Sequence, residues 1–300
     1  MIGPQEQLTL QSGFVLQTWI KTNKIHPKNP HDLRCVPATR WSIKLKTMNS
    51  PKNADTKNRK ANEIYNKIKH LALVEKTNPL IIFDLDSTLF DVAPRLEKVL
   101  TDIALEPVMT EKFPSVVPHF KNIKTERRDW GFVEVLQRAG VEHDNLDLFK
   151  TVRGLWIEKF FSNEYIHYDV PYQGSVDFVR KIEKLDIPIV YLTGRDVKRM
   201  ERGSREVLMK WDFPLDDKMS RLILKPERSM DDALFKRDWI HDHMINSQSP
   251  VFLFENEPVN INLIAKELPQ VELVFFDSTH SRKETPPEEV FTLVHYLMED

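Results

Sequence analysis

The chain has one cysteine, Cys35, among its 300 residues, so it cannot close an internal disulfide. No run of about 18 apolar residues occurs, which excludes a helical membrane span. The start carries no basic segment followed by an apolar core, so a secretory signal is not expected, whereas a transit peptide is not excluded by this pattern. Internal repeats are missing too. These absences together lead to the expectation of a soluble, cytoplasmic protein with no membrane partner. With 41% hydrophobic residues, the chain can bury a sizeable core.

Acidic residues are scarce at one end. Residues 1–60 hold eleven Lys and Arg against three Asp and Glu, although the net charge of the whole is only −2. This segment is rich in Asn, Lys, Pro and Thr and lacks sustained periodicity, most clearly over Asn49–Lys60, which predicts a poorly ordered basic extension. Met48 is an alternative start. A basic tail is also the footprint of nucleic-acid binding, but not specific to it, and that partner is not favoured.

From Ala61 onward helical and strand patterns alternate. Ile64, Ile68, Leu71 and Leu73 share a helical stripe ahead of the apolar run Leu80–Phe83. Val176, Val179, Ile182 and Leu185 form another ahead of Pro188–Leu192, a strand expected to stop at Thr193-Gly194-Arg195. Short apolar runs follow at Leu222–Leu224, Val251–Phe254 and Val271–Phe276, and Thr285-Pro286-Pro287 is expected to open a last helix reaching Met298. Such alternation predicts a Rossmann-like α/β fold, a doubly wound parallel sheet in three α/β/α layers. Strand signals vanish between Asp91 and Val170, where helical spacing and bulky aromatics predict a helical insertion, a cap over residues 92–170. Residues 61–91 and 171–300 then form the α/β core.

The chemistry concentrates where apolar runs end. Leu80–Phe83 breaks into Asp84-Leu85-Asp86, and the two-residue period of a strand sends both carboxylates the same way. In parallel sheets ligands bind beyond the carboxyl ends of strands. A carboxylate there can attack phosphorus and form an acyl phosphate, the role expected of Asp84. Asp86 is placed to protonate the leaving oxygen and then to activate water. Crowded anionic oxygens call for a hard divalent cation, Mg²⁺, and Glu255, ending the run Val251–Phe254, supplies a further carboxylate. The Thr193 hydroxyl and the Gly194 N–H suit phosphoryl oxygens. Lys236 and Lys225 are both available to complete the clamp.

These motifs resemble the haloacid dehalogenase superfamily of phosphohydrolases over residues 78–277. The resemblance rests on Asp-x-Asp-x-Thr at Asp84, Asp86 and Thr88, on Thr193-Gly194-Arg195, on a downstream lysine, on Glu255, and on Pro171-Tyr172-Gln173-Gly174. It implies that Asp84 is the nucleophile and Asp86 the acid/base, and that both reach Mg²⁺, Asp86 through its backbone oxygen. Dehalogenases do not resemble this chain at Asp86, so the resemblance implies a phosphatase acting on a small phosphorylated metabolite or nucleotide. It also implies Lys236 over Lys225, and makes Arg195 a candidate substrate contact. Asn256 and Asn260 depart from the pattern: relatives often carry acids there. An amide oxygen can still ligate Mg²⁺, at the loss of one negative charge.

Other readings stay open: a phosphotransferase or mutase, an end-processing phosphatase for polynucleotides, and a non-catalytic phosphate- or nucleic-acid-binding module. His241 and His243 flank Asp242, yet have no cysteine or third histidine at ligand spacing and read as surface histidines. Asp277, Thr279 and His280 are candidates for the rim of the site.

Overall fold

A computed structural model describes residues 52–298 of the chain apart from 122, 143 and 246. Residues 1–51, which hold most of the predicted basic extension, Cys35 and Met48, lie outside the described residues. Among the described residues no helix is long and apolar enough to cross a membrane.

Six strands form one sheet in the order β5-β4-β1-β6-β7-β8, with every pairing parallel. They are β1 (Leu80–Phe83), β4 (Ile189–Asp196), β5 (Ser220–Lys225), β6 (Val251–Glu255), β7 (Glu272–Phe276) and β8 (Phe291–Leu293). The central strands β1, β4 and β6 are apolar up to their carboxyl ends because both faces are covered. Ile81, Phe83, Ile189, Tyr191, Phe252 and Phe254 enter one buried cluster. Leu80, Ile82, Val190, Leu192, Val251 and Leu253, the residues between them, enter another. The strand period of two thus builds two cores, one on each side of the sheet.

Helices α1 (Lys52–His70), α7 (Ser175–Glu183) and α8 (Val197–Lys210) serve the first cluster, and α9 (Asp232–Ile245) and α10 (Pro258–Glu267) the second. Gly174 precedes α7 with φ of +81°, and a Cβ there would come within 2.6 Å of the Tyr296 backbone. Only glycine meets both conditions.

The chain leaves the sheet after β2 (Phe90–Asp91) and returns through β3 (Val170–Pro171), two short strands paired antiparallel. Between them lie α2 (Ala93–Ile103), α3 (Pro107–Lys112), α4 (Phe132–Arg138), α5 (Leu146–Phe160) and α6 (Asn163–Ile166). They enclose a third core that includes Leu96, Val99, Leu100, Leu136, Leu148 and Val152. Asp91 Oδ1 accepts from the Ala93 N–H at 2.9 Å and so satisfies one of the free donors at the start of α2.

Three expectations are corrected. Residues 52–60, read as part of the extension, belong to α1, whose buried Ala61, Ile64 and Ile68 anchor it to the sheet. β4 does not stop at Thr193 but runs to Asp196, with its register against β5 broken between Thr193 and Asp196. The segment after Thr285 forms no helix. Phe291–Leu293 adds a sixth strand beside β7, and the buried Tyr296 ring stacks on Phe276 with centroids 4.7 Å apart. Its β-branched and aromatic residues satisfy an open sheet edge, which no local helical spacing outweighs.

Candidate functional site

The carboxyl ends of β1, β4, β6 and β7 meet at a cavity of about 750 Å³ lined by Asp84, Asp86, Thr193, Gly194, Arg195, Lys236, Glu255 and Asn256. These eight residues, predicted from separate strand ends and one helix, therefore lie in one place, and Lys225 is not among those lining the cavity. Asp277 and Thr279 also line it, whereas His280 does not. His241 and His243 lie on α9 outside it.

β1 ends at Phe83, and the chain then turns tightly, with the N–H groups of Thr88, Leu89 and Phe90 all donating to Leu85 O. Ser87 takes φ of +59° in this turn. The result sends Asp84 and Asp86 to different partners despite their common cavity. Asp84 Oδ1 accepts from Lys236 Nζ at 2.7 Å. Asp86 Oδ1 accepts from Arg195 Nη2 at 2.5 Å and from Arg95 Nη2 at 2.6 Å.

Lys236, one turn into α9, donates also to Glu255 Oε2 at 2.6 Å and is buried with both acids. Burial pushes its ammonium down, but Asp84 and Glu255 outweigh burial and hold it above the usual lysine range. Lys225 instead donates to Met230 O at 2.9 Å and Asp232 Oδ1 at 2.5 Å, pinning the loop that leads into α9. Of the two lysines, Lys236 is the one that touches Asp84. Gly194 lies close under the head of α9, where a Cβ would come 2.7 Å from Asp232 Oδ2 and displace that side chain.

Glu255 has no acceptor to spare. Oε1 receives the N–H groups of Asn256 and Glu257, each at 3.0 Å, and Oε2 receives Lys236 and Asn260 Nδ2, the latter at 3.1 Å. Glu255 therefore orients the lysine and is a poor candidate for the metal ligand it was expected to be. Asn260 serves it by donating, a task an acid could not perform in ionised form.

Asn256 is held by its amide nitrogen, which donates to Thr279 O at 2.7 Å and turns Oδ1 inward. Thr88 Oγ1 stands 3.1 Å from both Asn256 Oδ1 and Asp84 Oδ2. A hydroxyl has one proton to give, so one of these two oxygens is always left unserved. Two hard oxygen donors side by side fit Mg²⁺, which typically takes one or two protein carboxylates and fills its shell with water and substrate phosphate. Among the described residues no group of three His, Cys, Asp or Glu side chains is arranged to hold a metal. Asp84, Asn256 and the Asp86 carbonyl are the donors this chain would offer.

Burial raises the Asp84 carboxyl from 3.8 to about 7, with Lys236 pulling it down and Glu255 pushing it up. One lysine stands between two acids, and a proton or a cation at Asp84 relieves the excess. A folded-state value above the unfolded one gives stability that is complete below pH 3.8 and lost as pH rises through about 7. Asp84→Asn, which mimics the protonated form, is therefore expected to melt higher than wild type at pH 8 without divalent ions. The difference should shrink toward pH 5, and a constant difference in melting temperature across that range would refute the assignment.

Asp86 behaves in the opposite way. Burial pushes it up, but Arg195 and Arg95 outweigh burial and hold it below the usual carboxylate range. Arg195, expected as a possible substrate contact, is instead buried, with its guanidinium shared between Asp86 and Asp169. Arg95 and Asp169 were missed by sequence reasoning. The available signal was an arginine on the stripe of α2 that carries Val99 and Ile103, where an apolar residue belongs.

The helical segment reaches over the cavity. Arg127 Nη2 donates to Asp277 O at 2.6 Å, Thr279 Oγ1 to Arg127 O at 3.1 Å, and Arg282 Nη1 to Arg128 O at 2.7 Å. Trp130, Trp156, Phe160 and Phe161 contribute its apolar wall.

The family model described as haloacid dehalogenase-like hydrolase matches residues 79–228. No curated protein matches the chain. Among solved structures, a haloacid dehalogenase-like family hydrolase from Streptococcus pneumoniae is 11% identical, with 74% of this chain and 96% of that one covered at a TM-score of 0.44. A superfamily hydrolase of subfamily IA from Geobacter sulfurreducens is 12% identical over 74% and 94%, at 0.41. Protein Tyrosine Kinase A of Mycobacterium tuberculosis is 12% identical over 72% and 93%, at 0.42. The assignment rests on the family model, which spans half of the 300 residues and both leading motifs: the chain belongs to the haloacid dehalogenase-like hydrolases.

Proposed function

We propose that the protein is a Mg²⁺-dependent phosphomonoester hydrolase working through a phosphorylated Asp84. The observation that carries this reading is the buried Asp84 carboxylate, held at 2.7 Å by Lys236 at the mouth of β1, with a second acid two residues on in the same cavity. In the first step Asp86, ionised in the free protein between Arg195 and Arg95, takes up a proton as the negative charge of the phosphate arrives beside it; an Asp84 oxygen then attacks phosphorus, the bond to the ester oxygen breaks, and Asp86 gives that oxygen the proton. In the second, Asp86 takes a proton from water, the water oxygen bonds to phosphorus, and Asp84 leaves as a carboxylate. Lys236 balances charge on Asp84 throughout. Thr193 Oγ1 accepts from the Arg195 N–H at 3.3 Å, which leaves its own proton for a phosphoryl oxygen. The Gly194 N–H falls in the broken stretch of the β4–β5 ladder and faces the same task. Bound Mg²⁺ would supply positive charge to the phosphoryl oxygens.

The helical segment 92–170 acts as a cap in this reading, and the cavity beneath it suits a small phosphorylated metabolite or nucleotide. The experiment is a screen of nucleotides, sugar phosphates, phospho-amino acids and oligonucleotide 3′-phosphates, with and without Mg²⁺ and with alcohols as competing acceptors. Metal-dependent release of inorganic phosphate is expected. Transfer to the alcohol in preference to water would identify a phosphotransferase, and no turnover of any ester would reject both.

Asn256→Asp tests the metal shell. A carboxylate in place of the amide is expected to tighten Mg²⁺ binding about tenfold by calorimetry. Unchanged affinity would remove Asn256 from the ligand set.

A further inference from the structure

Arg95, Asp169 and Arg195 form a buried cluster at the point where the chain enters and leaves the helical segment. Arg95 stands at the start of α2, Asp169 immediately before β3, and Arg195 in β4. Asp169 Oδ2 accepts from Arg195 Nη2 at 2.7 Å, and Asp169 Oδ1 lies 2.9 Å from Arg95 Nε, neither of these last two atoms having another partner. Each guanidinium is further fixed, Arg195 by donating to Ser204 Oγ at 3.0 Å and Arg95 by lying 4.2 Å over the Phe160 ring. The side chains of Arg95, Asp169 and Arg195 are at most 1% exposed, against 32% for Asp86. Asp86 is thus the member that reaches the cavity.

The hydrogen bonds from both arginines to Asp86 all fall on Oδ1. That is unusual, because a guanidinium prefers to grip both oxygens of a carboxylate in a fork. Here each fork is divided between two acids. We propose that Asp169 is a positioning residue for Asp86: by occupying part of both guanidiniums it confines them to Asp86 Oδ1 and leaves Oδ2 to exchange a proton with the leaving oxygen. Two guanidiniums and two carboxylates also make the cluster neutral. Without Asp169 an excess positive charge would be buried against Asp86 alone, and the forks would close on both of its oxygens. This inference rests on the phosphatase reading, in which Asp86 is the acid.

The test compares phenyl phosphate, whose leaving oxygen needs a proton, with 2,4-dinitrophenyl phosphate, whose leaving oxygen does not. Release of the phenol is followed in a single turnover. Asp169→Asn is expected to slow phenyl phosphate about 100-fold and the dinitrophenyl ester less than about 5-fold, with KM within about twofold, since loss of a general acid costs about 10²- to 10⁴-fold. Arg95→Met combined with Asp169→Asn restores charge balance and should recover at least about tenfold on phenyl phosphate. Equal losses on both esters, or no recovery in the double variant, would overturn the proposal. A crystal structure of Asp169→Asn should show both oxygens of Asp86 gripped, and an unchanged grip on Oδ1 would overturn it as well. Should wild type turn over neither these esters nor any of the screened phosphates, the phosphatase reading fails, while the crystallographic comparison still decides what Asp169 does to Asp86.

Discussion

Asp84→Asn is expected to abolish turnover, by at least about 10⁴-fold, in any ester the wild-type protein hydrolyses. The amide is nearly the same size and can still accept from Lys236, so the fold and the cavity should survive. What disappears is the anionic oxygen that attacks phosphorus. The substituted side chain would stay in the same buried place, where Asp84 is 6% exposed in the wild-type protein, without an oxygen able to form the acyl phosphate. Phosphate release should be measured together with acid-stable labelling of the chain by a radiolabelled ester. Activity surviving in Asp84→Asn would sink the nucleophile assignment and require another group to attack phosphorus.

Lys236→Met has the second largest expected effect, and it falls on the fold as well as on activity. Removing the ammonium leaves Asp84 and Glu255 facing each other in a buried site with no cation between them. Breaking a buried pair by deleting one partner costs about 3–5 kcal/mol, readable as a drop in the denaturant midpoint at unchanged slope. Millimolar Mg²⁺ should recover part of that loss, because an ion beside Asp84 restores the missing charge. Lys225→Met provides the contrast. Lys225 holds Met230 and Asp232 and does not touch Asp84, so its loss should loosen the approach to α9 without the same response to Mg²⁺. Equal stability losses and equal Mg²⁺ responses in the two variants would refute the division of roles between the lysines.

The sheet was legible because its central strands are buried on both faces and read as unbroken apolar runs, each ending in the residue that carries chemistry. Asp84, Thr193 and Glu255 could be found for that reason. Lys236 could be narrowed to one of two lysines, and contact geometry separated them. The arginine cluster was hidden for a different reason: Arg95, Asp169 and Arg195 are far apart in sequence, and a buried charge leaves no mark until its partner is known. Glu255 was misjudged because a carboxylate at a strand end looks the same whether its oxygens are free or already filled by four donors. β8 was misread since three residues at a sheet edge carry too little pattern to contradict a Pro-Pro-Glu helix start.

The paired strands β2 and β3 are the only β-ladder among the described residues outside the main sheet. Most of what is strung between them has its own apolar interior, with Ile166 the buried member that enters the sheet's first core instead. On the phosphatase reading, selectivity and reaction chemistry are then carried by largely different residues, open to change on different schedules. Arg95 and Asp169, which stand beside the two crossings, and Ile166, which enters the core of the sheet, would have to be kept whenever the rest of the segment was rebuilt.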